Sequence, residues 1–206
     1  MLKRTKGYIL LTLLVVTGFA GKMSSDTIST KERKFLVDYL KDTKTALVKS
    51  LKGLSEGQLN FKAAPDRWSI KECVQHIALA EAGLWSMTEA ALKQPANPQK
   101  RSEIKVTDAA LTTMVTDRSR KAQAPEVLQP QKGEAKTAEQ ALDNFKEKRN
   151  SLIKYVKTST DDMRNHVAQT MMGSMDAYQL MLLIAAHSKR HTLQIEEVKA
   201  DPAFPK

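Results

Sequence analysis

Two histidines four residues apart, His187 and His191, lie inside the apolar stretch LMLLIAAHSKRHTLQIEEV. Leu180, Leu183, Ile184, Ile195 and Val198 recur at helical spacing and define one buried stripe, which the two histidines continue. On a helix their Cβ atoms lie roughly 5–6 Å apart. Imidazoles turned into a core need partners, because an unsatisfied buried polar group costs about 1–3 kcal/mol. A divalent metal satisfies both at once, and HxxxH is the spacing by which one helix offers two ligands. The same spacing also suits two core histidines hydrogen-bonded to neighbours, and both readings stand at this level.

These residues need helices to position them, and the chain supplies four. Leu36, Leu40, Thr43, Leu47 and Leu51 give a first amphipathic helix over about 30–52, with Gly53 at its end. The loop that follows is broken by Pro65, and Ser69-Ile70-Lys71-Glu72 reads as a capping box that opens a second helix over 69–93. One face of this second helix carries Cys73, His76, Ala80, Gly83 and Met87, beside a core stripe of Val74, Ile77 and Leu84. The small Ala80 and Gly83 leave room beside His76 or allow close helix packing. Residues 94–136 contain four prolines and lose the period, apart from a short helical stretch near Asp108–Thr116. A connection of this length is what an up-down-down-up bundle needs for a crossover. Thr137 and Gln140 form a second capping box, opening a third helix over 137–158 with Leu142, Phe145, Leu152, Ile153 and Val156 as its stripe. Asp176 and Gln179 cap the last helix, over 176–199, after a loop that holds His166. With no convincing strand, the expected fold is all-α: a four-helix bundle with a long connection between helices two and three.

The 206 residues suffice for one domain with a substantial core. Lys3, Arg4 and Lys6 precede an apolar run from Tyr8 to Ala20 with small residues at its end, the order of a secretory signal. That run falls short of the about 20 apolar residues of a comfortable transmembrane helix. The expected organisation is therefore a signal peptide at 1–20 (an uncleaved anchor being the alternative), a tether at 21–29 and the bundle domain at 30–206. The mature protein is expected to be exported, periplasmic or secreted. Cys73 is the single cysteine, so no intramolecular disulfide forms and stability must come from packing. The net charge of +10 includes Lys3, Arg4 and Lys6; the other Lys and Arg are scattered along helix faces among acidic residues, with few aromatics between them. That pattern is a solvated surface and excludes a nucleic-acid footprint. The expected partners are a small-molecule substrate, no nucleic acid, and a membrane only through an uncleaved N-terminal segment, with a homodimer left open.

Trp68-Ser69-Ile70, Glu72-Cys73-Val74-Gln75-His76, and Ala186-His187-Ser188-Lys189-Arg190-His191 with Gln194-Ile195 together resemble the DinB-like (YfiT-like) superfamily of metal-dependent enzymes. The resemblance covers most of 30–206, including Asp117-Arg118 and Ala124-Pro125-Glu126 of the long connection. It implies a four-helix bundle in which His76 of the second helix and His187 and His191 of the last bind a divalent metal. Many relatives carry a proline-containing stretch before the last helix, whereas this chain has Thr170-Met171-Met172-Gly173-Ser174.

Three protein nitrogens leave coordination positions open, the pattern of a catalytic site. Zinc suits three imidazoles best, while nickel, iron and manganese also accept such ligands. Cys73, one turn before His76, is a candidate fourth ligand or substrate-facing thiol, against the plainer reading of a small buried hydrophobe. Arg149 is a candidate holder of an anionic substrate, and Gln194 a candidate group behind the metal ligands. Metal–water chemistry on a small substrate is the favoured function. Thiol S-transfer with a metal-activated low-molecular-weight thiol is the alternative, disfavoured by an oxidising destination. A non-catalytic metal-binding bundle is the third.

Overall fold

A computed structural model describes residues 28–121 and 123–206. The expected signal segment 1–20 and residues 21–27 of the tether lie outside the described residues. Helices α1 (Thr30–Leu51), α3 (Ile70–Leu92), α5 (Ala138–Thr158) and α6 (Ala177–Lys199) form the bundle, with short α2 (Glu56–Asn60) and α4 (Asp108–Thr116) between them. Each bundle helix starts where a side chain satisfies its otherwise orphaned amides. Ser29 and Ser69 form reciprocal capping boxes with Glu32 and Glu72, and Asp176 accepts from the Gln179 amide. The box expected at Thr137 is only half made. Thr137 accepts from the Gln140 amide, but the Gln140 side chain turns to the Lys136 amide, one residue too early.

α1 packs on α5 and α6, and α3 packs on the same two, so α1 and α3 are diagonal. Tyr178 meets Glu32 at one end of the α1–α6 pair and Lys199 meets the Ser50 carbonyl at the other, so these helices run parallel. Arg33 reaches the Val156 carbonyl, which makes α1 and α5 antiparallel. Gln75 bonds the Ala135 carbonyl and Trp85 packs on Tyr155, so α3 and α5 run the same way. The order is up-down-down-up. The parallel α3–α5 neighbours need a connection that travels back along the bundle, and residues 93–137 provide it. Within this crossover α4 lies on α6, and tight turns at Glu126–Leu128 and Pro130–Lys132 lie on α3. Gly83, on the exposed side of α3, faces the Leu128 side chain of the crossover.

The apolar core falls into two clusters. One contains Leu36, Leu40, Leu152, Val156, Leu180 and Ile184; the other contains Leu47, Ile70, Val74, Phe145, Ile195 and Val198. Ile28, two residues before α1, also packs into the first cluster. Between the clusters, all four helices contribute to a polar layer centred on Arg149. Its guanidinium donates twice to Glu81 (2.6 and 2.7 Å), to the Leu40 carbonyl, to Thr43 and to Ser188.

The loop before α6 is not free of strands, as the sequence led us to expect. β1 (Val167–Thr170) and β2 (Gly173–Asp176) form an antiparallel hairpin turning at Met171-Met172. Gly173 takes φ +102°, the left-handed position, which a side chain would disfavour. No Asn-Gly pair marks this turn, and four-residue strands are too short to show an alternation. Arg164 anchors the hairpin end, bonding Glu32, Asp108 and Asp176 and lying 4.0 Å above the Tyr178 ring.

Candidate metal centre

The second turn of α3 and the middle of α6 run antiparallel past each other, and this crossing brings three imidazoles together. One nitrogen from each of His76, His187 and His191 lies within 4.8 Å of the other two. Their rings are 4.5–4.9 Å apart between centroids. Among the described residues no carboxylate or thiol joins this group.

The outer nitrogens are held so that the inner ones keep their lone pairs. His76 Nδ1 donates to the Leu128 carbonyl at 2.7 Å, which leaves Nε2 facing His187 Nε2 at 3.2 Å. His191 Nδ1 donates to Gln194 Oε1 at 2.8 Å. Two ring nitrogens this close share one proton or one metal ion. Burial first, and then mutual repulsion, keep the rings neutral. His187 is held at about 3, and His191 well below its ordinary value. His76 is lowered by burial, opposed by its bond to Leu128. Neutral imidazole is the form that binds metal, so the donor set fits a divalent ion. Trp68 lies over the cluster, its ring 4.7 Å from that of His76 and 5.9 Å from that of His191.

The cluster opens into a pocket of about 370 Å³ whose walls include Met114, Val115, Leu183 and Met172, with Asp117 as its one lining carboxylate among the described residues. Arg190 borders the same pocket. It donates to the carbonyls of Val115, Asp117 and Arg120, and so fastens the crossover to α6 between the two histidines.

The other candidates separate clearly. Gln194 sits behind His191 and accepts from its Nδ1. Cys73 is fully buried in the second apolar cluster, outside the histidine group, and burial pushes its thiol far up; it is a packing residue. Arg149 is fully buried, and all its donors face Glu81, Leu40, Thr43 and Ser188, so it cannot hold a substrate. Its place on the helix stripe was legible, but its partner Glu81 was not. His166 lies just before β1, bonded to the Asp162 carbonyl and apart from the cluster. Sequence reasoning missed Arg190 and the Leu128 carbonyl. The first sits at the edge of the HxxxH face, and the second is a backbone group in a segment without periodicity.

Bundle topology and open three-histidine cluster together define a class of helical metal-site proteins. The model of the DinB superfamily matches residues 39–195, and the chain belongs to that family. It is 28% identical over 151 residues to the uncharacterized protein YuaE of Bacillus subtilis (strain 168), spanning 72% of this chain and 88% of that one. The fold is similar to that of YfiT from Bacillus subtilis, described as a probable metal-dependent hydrolase with an unusual four-helix bundle topology. The TM-score is 0.60 at 14% identity, over 87% of this chain and 93% of that one.

Proposed function

We propose that this protein is a metal-dependent hydrolase of a small substrate, with zinc held by His76, His187 and His191. The observation that carries the reading is the open donor set: three neutral imidazoles, no fourth protein ligand among the described residues, and a pocket directly in front of them. A divalent ion in such a site supplies Lewis acidity and a water acidified towards a pKa of about 7. The probable hydrolase YfiT, with the same bundle, supports the reading.

The chain's own groups have definable parts. The Leu128 carbonyl and Gln194 fix the ring orientation of His76 and His191. Trp68 and the apolar walls line the space in front of the histidines. We assign Asp117, the lining carboxylate of the pocket among the described residues, as the proton acceptor. Hydrogen bonds from Ser119, then the charges of Arg120 and Arg190, hold its carboxyl below the usual range, so it is ionised at neutral pH.

Zinc-loaded protein should hydrolyse members of a panel of small esters and amides, and stripping the metal should abolish turnover. Asp117→Asn should lower turnover while zinc content stays stoichiometric. Turnover that appears only when a low-molecular-weight thiol is added would overturn hydrolysis in favour of thiol transfer.

A further inference from the structure

His191, at one edge of the histidine cluster, borders two pockets of different character. One is the apolar pocket walled by Met114, Val115, Leu183 and Met172. The other, of about 360 Å³, is rimmed by Arg67, Arg118, Lys121 and Arg190, with Asp66 as its one acidic group and Gln129 and Gln194 as neutral donors. Trp68, Gln123, Ala124, Arg190 and His191 line both, so the two spaces meet beside His191.

The charges on the polar side are unequally used. Arg118 is matched by a two-pronged bond to Glu197 (3.0 and 2.7 Å). Arg190 is spent on backbone carbonyls, which cancel none of its charge. Arg67 and Lys121 are exposed and make no ion pair among the described residues. With Arg118 matched by Glu197, three cations against Asp66 leave the rim positive, and Arg67 and Lys121 are free to meet a ligand. An anion there would gain charge-assisted bonds.

We infer that the substrate is a conjugate of an apolar acyl arm and a small anionic head, of which an N-acyl amino acid is the simplest form. The arm occupies the Met114–Met172 side, the carboxylate meets Arg67 and Lys121, and the scissile carbonyl falls between them at the histidine cluster. This assignment rests on the hydrolytic reading and deepens it. In the reaction a water oxygen bonds to the acyl carbon as the C–N bond breaks. One water proton passes to the amine nitrogen, and the products are a carboxylic acid and a free amino acid, with no change of oxidation state.

Three probes separate the two halves of the site: N-octanoylglycine, N-octanoylglycinamide (same arm, neutral head) and N-acetylglycine (same head, short arm). Calorimetric titration of the full zinc-loaded chain should show N-octanoylglycine binding at least about tenfold tighter than either of the others, the scale of one charge-assisted contact. Arg67→Ala with Lys121→Ala, both in exposed loops, should erase the preference over the glycinamide. Met114→Ser with Met172→Ser should erase the preference over N-acetylglycine. Equal binding of the charged and neutral octanoyl probes, or head variants that weaken both alike, would overturn the assignment. Release of glycine from N-octanoylglycine tests the hydrolytic reading separately. Selective binding without release would sink hydrolysis but leave the two-sided recognition standing; turnover of unrelated esters with no discrimination among the probes would do the reverse.

Discussion

At the scale of single residues, the candidate metal centre rests on three side chains and the two groups behind them. Replacing His76, His187 or His191 by Ala should remove most zinc binding, and thermal stability should then stop responding to added zinc. His166→Ala should bind zinc as the parent does, because that ring sits apart with the Asp162 carbonyl. Gln194→Ala removes only the orienting partner of His191, so zinc affinity should fall by about 10–100-fold, read by competition with a chelator. A second prediction follows from the lowered histidine pKa values. The folded chain keeps these imidazoles neutral, whereas the unfolded chain protonates them near about 6.5. Unfolding therefore takes up protons below that pH. Stability of metal-stripped protein should fall as pH drops from about 6.5 towards the about 3 at which His187 itself titrates, and this contribution should be constant above. The slope between pH 6.5 and 4.5 should be shallower in His187→Ala, measured by urea unfolding. For the same reason zinc should be retained below pH 6, where ordinary histidines would release it. The HxxxH spacing made the α6 pair legible from sequence. The depressed pKa values were not, because they depend on burial by Trp68 and the crossover, which no local pattern encodes.

At the scale of elements, the bundle's register is set by the buried Arg149 layer. The guanidinium touches α1, α3, α5 and α6 at once, so each helix must stand at one height relative to the others. Ser188, one residue from His187, is part of this layer, which ties the height of α6 to the height of its metal ligands. Breaking a buried pair strands the remaining charge, a loss of about 3–5 kcal/mol. Arg149→Met should cost that much in urea unfolding, and Arg149→Met with Glu81→Met should recover most of it, since no lone charge is left. Helix boundaries were legible to within a residue or two, because capping residues such as Ser69 and Asp176 and the apolar period mark them locally. Glu81 as partner of Arg149 was illegible, since the pairing spans 68 residues and depends on the parallel placement of α3 and α5. The hairpin was illegible for a different reason: its turn carries two methionines in place of the usual turn residues, and only Gly173 betrays it.

At the scale of the whole molecule, no helix among the described residues is long and apolar enough to cross a membrane. The expected signal or anchor is the N-terminal apolar run. If that run is a cleaved signal, the exported protein should have the intact mass of a chain beginning close to Gly21; a full-length mass in the membrane fraction would point to an anchor. The up-down-down-up order has a consequence of another kind. His76 receives its orienting bond from Leu128, and Leu128 belongs to the crossover that this order makes necessary. Arg190, between the two α6 ligands, grips the same crossover from the other side. If the three histidines hold a metal, loading it and docking the crossover are one thermodynamic event viewed from two ends, each tightening the other by the same factor. Amide hydrogen exchange across Asp117–Gly133 should therefore slow when zinc is added, by the same factor in every well-protected amide, while exchange in α1 stays unchanged. Substituting Arg190 by Met, with all three histidines intact, should weaken zinc binding and speed exchange in that segment together. A crossover whose exchange ignores zinc would mean that the two ends are not coupled.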